Sequence, residues 1–162
     1  MRSDWGGQSR PHTPIASRLI AIKLMPAKDI FHPHVRRALE KDGWTITDDP
    51  LSLRWLGTTL QVDLGAERVI AATRGTEMIA VEIKSFIGAS AMADLENALG
   101  QFLLYRAALK KLAPNRKLFL AIRDDVYDAI FAQPEGEFVR EDGNIHLLVF
   151  NADRQEVVQW IS

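Results

Sequence analysis

Ala80-Val81-Glu82-Ile83-Lys84-Ser85 is the stretch on which the reading of this chain turns. In a strand, alternate side chains share a face, so Glu82 and Lys84 point one way while Val81 and Ile83 point into the opposite layer. A Glu and a Lys in the middle of an apolar strand are costly to bury unless they are paired or bound to a metal ion. Upstream, Leu60, Val62 and Leu64 alternate with Gln61 and Asp63, which puts Asp63 on the polar face of its own strand. The hairpin that follows can bring Asp63 beside Glu82 and Lys84. Two carboxylates and an ammonium then converge on one point of a sheet.

Such a trio suits a hard divalent cation. Asp63 and Glu82 offer oxygens of the kind that bind Mg²⁺ or Mn²⁺, and the Ile83 backbone carbonyl adds another. Two carboxylates about 4 Å apart repel by about 4 kcal/mol at an effective dielectric of about 20, and a cation removes that cost. The ion would neutralise phosphate charge and lower the pKa of a bound water, with Lys84 holding or polarising the attacking water. The same residues also fit a plain Glu-x-Lys ion-pair ladder on an exposed sheet face. The upstream Asp, the apolar flanks and the helix that follows raise the metal site to stand level with that reading.

The surrounding pattern predicts an α/β fold, a mixed β-sheet flanked by helices. Lys28 to Asp42 repeats apolar residues at helical spacing and stops at Gly43. Trp44 to Thr47 reads as a strand, and Asp48-Asp49-Pro50 as a turn. Strands are expected over Thr59–Leu64, Arg68–Thr73 and Glu77–Phe86, with a tight turn at Arg74-Gly75-Thr76. Ser90 is a candidate N-cap for a helix running to Leu112, with Leu95, Leu99, Phe102, Leu103 and Leu109 as its buried stripe. Lys117–Ile122 is expected to lie parallel to the Glu77–Phe86 strand, because a helix joins the two. A short helix over Asp125–Ala132, a core strand over Ile145–Phe150 and an edge strand over Glu156–Ile161 complete the series.

With 162 residues the chain suits one domain, and the absence of cysteine excludes thiol chemistry and a Cys-ligated zinc site. It fits a reducing cytoplasm. No apolar run is long enough to span a membrane. No phosphate-cradling glycine loop or Ser–His pattern points to a small-molecule enzyme. Formal net charge is −1, which speaks against extensive non-specific DNA binding. The basic pairs Arg36-Arg37, Lys110-Lys111 and Arg116-Lys117 read either as solvated helix surface or as a phosphate-contacting rim around a cleft.

Asp63…Glu82-Ile83-Lys84 resembles the D…(D/E)-x-K signature of the restriction-endonuclease-like, PD-(D/E)XK superfamily. Gln101 to Tyr105 resembles the Q-x-x-x-Y element of its RecB-type branch, and one helical turn separates the two polar residues. Tyr105 reads equally as a core aromatic with its hydroxyl at the rim. His32 stands where that branch often has a histidine, and reads otherwise as a surface or capping residue. Longer stretches are similar to the XisH family: Pro26 to His32, Gly43 to Leu51, Val62 to Glu67, Val81 to Phe86, Leu99 to Gln101 and Val158 to Ser162. That resemblance runs from Met25 to Ser162. It implies a factor controlling excision of the fdxN element, a cyanobacterial DNA segment removed by site-specific recombination, with a nuclease-like fold and a companion protein, XisI.

Two functions follow. One is a Mg²⁺-dependent endodeoxyribonuclease with Asp63, Glu82, Lys84, Gln101 and Tyr105 as its site. The other is a catalytically silent accessory that acts on DNA with XisI and a site-specific recombinase. Residues 1–24 lack periodicity and carry Gly6-Gly7, Pro11 and Pro14, which reads as a disordered extension before a domain spanning 25–162, with Met25 a candidate start. Deleting residues 1–24 is therefore expected to leave the thermal melt unchanged; a drop of many degrees would show that the segment packs on the domain.

Overall fold

The computed structural model describes residues 30–62, 64–69 and 76–162. The expected extension, residues 1–24, lies outside them, as do Asp63 and the turn at Arg74-Gly75. Helix α1 (His32–Lys41) is followed by β1 (Thr45–Asp48), β2 (Leu51–Trp55), β3 (Thr58–Val62), β4 (Leu64–Val69) and β5 (Thr76–Ile83). Then come α2 (Ala91–Leu112), β6 (Arg116–Arg123), a helical turn at Asp124–Val126 that widens into a π-turn at Tyr127–Phe131, α3 (Pro134–Asp142), β7 (Leu147–Asn151) and β8 (Glu156–Ile161). The architecture is α/β, as the sequence predicts.

The main sheet has six strands in the order β1-β4-β5-β6-β7-β8. β5, β6 and β7 run parallel, the expected consequence of the α2 crossover, and β8 closes the edge antiparallel. Residues Leu118 to Ile122 of β6 are all buried, as befits a parallel strand covered on both faces. The alternation sorts side chains into two cores. Ala80, Leu118, Leu120, Ile122, Leu147 and Val149 pack with Phe102 and Leu109 of α2. Ile79, Val81, Ile83, Phe119, Ala121, Leu148 and Phe150 pack with Val35 and Leu39 of α1. The two helices thus cover opposite faces.

Several expectations give way. The strand expected over Thr59–Leu64 ends at Val62 and pairs only with β2, in a separate two-stranded sheet. Leu56 and Gly57 both have positive φ at its turn (50° and 71°), the conformation a two-residue hairpin needs. Leu51–Trp55, outside the strands expected from sequence, forms β2, and Leu53 and Val62 face the α2 core. The strand expected to reach Phe86 stops at Ile83, and Phe86 takes φ 52° as the chain leaves the sheet. Leu103, placed in the buried stripe of α2, is 48% exposed. The stripe runs instead through Ala98, Phe102, Ala108 and Leu109, and Leu103 sits about 100° around the helix from Phe102. Ser90 caps α2 as expected, its Oγ accepting from Ala93 N at 3.2 Å.

α3, also unassigned from sequence, lies hard against the π-turn. A Cβ built on Gly136 would sit 1.9 Å from the Ile130 carbonyl oxygen, whereas one on Gly100 of α2 would meet nothing within 4 Å. Opposite outcomes are expected for one added methyl. Gly136→Ala forces backbone apart and is expected to destabilise by about 3 kcal/mol or more. Gly100→Ala, on an exposed helix position, is expected to stabilise by about 0.5–1 kcal/mol. Denaturant unfolding of both variants reads the two signs.

Candidate functional site

β5 is a central strand, antiparallel to β4 and parallel to β6. Its last five residues, Ile79 to Ile83, are buried. Ala80 belongs to the α2-side core while Val81 and Ile83 belong to the α1-side core, so the alternation directs Glu82 to the α2 side. Glu82 is only 7% exposed. An ion-pair ladder on an exposed sheet face is thereby excluded, because the face is not exposed. A carboxylate held in such apolar company favours a nearby cation.

Lys84 follows directly on β5, with its side chain half-buried. Its N–H donates to Ala121 O at 3.1 Å, extending the ladder to β6 by one rung. Successive residues of a strand direct their backbone groups to opposite sides, so the Ile83 carbonyl points toward the β4 side. There β4 begins with Leu64, which pairs with Val81. Val62 ends β3 and Leu64 begins β4, and Asp63 between them lies outside the described residues. The route that carries the chain to Glu82 is the β4–β5 pairing.

Gln101 and Tyr105 lie on α2, both half-buried, on the same side of the sheet as Glu82. Tyr105 packs against the α2-side core, matching its reading as a core aromatic. His32 does not join them. It is 5% exposed on α1, across the sheet, where its Nε2 lies 2.7 Å from Asp49 Oδ1. The reading of His32 as a surface or capping residue is corrected to a buried one. The partner was missed because Asp49 reads as turn punctuation in Asp48-Asp49-Pro50. Arg36 Nη1 binds the other oxygen of Asp49 at 2.5 Å, and Arg37 lies 3.8 Å from Glu40. The Arg36-Arg37 pair is thus engaged with carboxylates.

Among the described residues no group of three or more His, Asp or Glu side chains is arranged to hold a metal ion. The donor set inferred from sequence includes Asp63, so it extends beyond them. What is described fits a hard cation: a buried carboxylate on Glu82 and a backbone oxygen on Ile83 aimed to the same side of β5 as the start of β4.

A model of the XisH protein family matches residues 25–158. The fold also matches two crystal structures. An XisH family protein from Nostoc punctiforme PCC 73102 is 38% identical, with 83% of this chain and 100% of that chain covered and a TM-score of 0.75. An fdxN element excision controlling factor protein from Anabaena variabilis is 38% identical with the same coverage and a TM-score of 0.74. No match was found among curated proteins.

The geometry separates two effects on stability. Titrating Mn²⁺ is expected to raise the melting temperature by mass action, and Asp63→Ala with Glu82→Ala is expected to abolish that rise. His32→Ala leaves Asp49 short of a buried partner and is expected to cost about 1–3 kcal/mol with the Mn²⁺ response intact. Full Mn²⁺ stabilisation in the double variant would place the ion elsewhere.

Proposed function

This chain belongs to the XisH family, and from that premise we propose that it is a PD-(D/E)XK-type metal-dependent endodeoxyribonuclease that hydrolyses DNA phosphodiesters in the controlled excision of a DNA element. The observation that carries the proposal is Glu82: a carboxylate 7% exposed, at the C-terminal end of a central strand, on the side covered by α2. Open α/β sheets place their ligands outside the carboxyl ends of their strands. Asp63, Glu82 and the Ile83 carbonyl would hold Mg²⁺ or Mn²⁺, which when bound neutralises phosphate charge and acidifies water.

The remaining work falls to this chain's own groups. The Lys84 ammonium, one residue beyond the strand, orients the attacking water and offsets charge on the phosphate oxygens. The Gln101 amide on α2 orients the scissile phosphate, and the Tyr105 hydroxyl one turn on lines the rim. A second reading is favoured by the net charge of −1. A chain without a basic excess has little general hold on DNA. In that reading it is a silent accessory in the cytoplasm that acts with an XisI-like protein and a site-specific recombinase.

Plasmid nicking with Mg²⁺ or Mn²⁺ tests the proposal. Lys84→Ala is expected to fold and bind metal yet lose ~10²–10³ in rate, the usual cost of removing a charge-stabilising donor. Gln101→Ala should lose less. Equal nicking by wild type and Lys84→Ala would show another site or a contaminant. Silence of both, with and without an XisI-like partner, while excision in cells persists, establishes the accessory role.

A further inference from the structure

Lys110 and Lys117, each from a basic pair that the sequence leaves open between solvated surface and phosphate rim, meet at one cleft. It lies between the last turns of α2, the α2–β6 connection, the start of β6 and the segment before β7. Arg106, Lys110, Asn115, Lys117, Asn144 and His146 line it, and its volume is about 260 Å³. None of its described lining residues is acidic. Because β5, β6 and β7 are parallel, the cleft sits at their N-terminal ends and Glu82 at the C-terminal end of β5. The two places are separate.

Arg106 and Lys117 are each held by neutral groups. Arg106 Nη1 donates to the Gly143 and Asn144 carbonyl oxygens at 2.7 and 2.8 Å, which fixes the guanidinium without cancelling its charge. Lys117 Nζ lies 3.0 Å from the Ser162 hydroxyl and 5.5 Å from the centre of the Phe119 ring. Lys110 is exposed. Arg116 also borders the cleft, but its guanidinium turns to Ile79 O and Asp48. The half-buried His146 stacks obliquely on Phe119, with ring centres 5.7 Å apart.

His146 registers the local field. Its pKa is lowered, first by burial, then by Lys117, with Arg106 and Arg140 of α3 adding to the effect, against a backbone hydrogen bond at Leu118 that raises it. Arg106, Lys110 and Lys117, around a pocket that Asn115 and Asn144 also line, repel one another, and an anion with several acceptor oxygens relieves that repulsion. We propose that this cleft binds a phosphate group, either a free phosphate or a phosphodiester of the DNA backbone, at a site distinct from Glu82.

The full chain can be tested without divalent metal, so the outcome is independent of whether DNA is cleaved. The His146 imidazole is titrated by NMR alone, with inorganic phosphate, and with a short DNA duplex. An anion in the cleft favours imidazolium, so the pKa is expected to rise by on the order of one unit. Lys110→Gln with Lys117→Gln should raise the starting pKa, because a neighbouring positive charge is gone, and should lose the anion-dependent rise. The Lys110→Arg with Lys117→Arg protein should keep that rise, which separates charge from packing. A response to phosphate but not to duplex identifies a free phosphate as the ligand. A response to duplex identifies the backbone, and the salt dependence of duplex binding should then weaken by a slope of about 2 in the Gln variant. A pKa unmoved by either anion, or a rise undiminished in the Gln variant, overturns the proposal.

Discussion

A carboxylate inside a sheet covered on both faces is the constraint on which the rest of this structure depends. An ionised group there, left without compensation, costs more than the ~5–15 kcal/mol that holds a domain together. Glu82 sits one residue before the end of β5. One residue later the chain leaves the ladder, and β4 begins only at the level of Val81. The carboxylate is thus buried laterally by α2 while the end of the sheet stays close by. Moving it two residues back would place it at Ala80, in the centre of the α2-side core.

The two helical layers do different work around that strand. On the α1 side, Asp42 accepts from the indoles of both Trp44 and Trp160, at 3.3 and 3.2 Å, and so ties the end of α1 to the edge strand β8. The His32–Asp49–Arg36 cluster fixes the other end of the same helix. These polar contacts tie α1 at both ends to the elements beneath it. On the α2 side, the hairpin β2–β3 packs on the core, and Gln101 and Tyr105 of α2 are half-buried on the same face of the sheet as Glu82.

The sequence was most legible where two periodicities agreed. Alternation through Val81, Glu82 and Ile83 assigned the faces of β5 correctly, and the Ser90 cap with the 3.6-residue period located α2. It was least legible where an element's partner lies outside the sheet. Leu51–Trp55 is a strand because its hairpin packs on α2, a tertiary cause that local propensity does not report. α3 carried a usable signal that went unread: Pro134 at its start with Glu135 and Glu137 in the first turn, the usual grammar of a helix beginning. Leu103 shows the limit of composition, since a leucine on a long helix is no guide to burial once the stripe is filled by its neighbours. His32 was misjudged for the opposite reason. Its partner sits 17 residues away in a turn, and no spacing rule links the two.

Net charge hides local contrasts that the structure shows. A total of −1 is an average over surfaces of opposite sign. α3 carries Glu135, Glu137, Glu141 and Asp142, while Arg106, Lys110 and Lys117 gather at the N-terminal ends of the parallel strands. At physiological salt a charge is felt over about 8 Å, so a ligand responds to the local cluster more than to the total. Neutrality therefore argues against a long electrostatic track, and not against a protein that touches few phosphates at defined points.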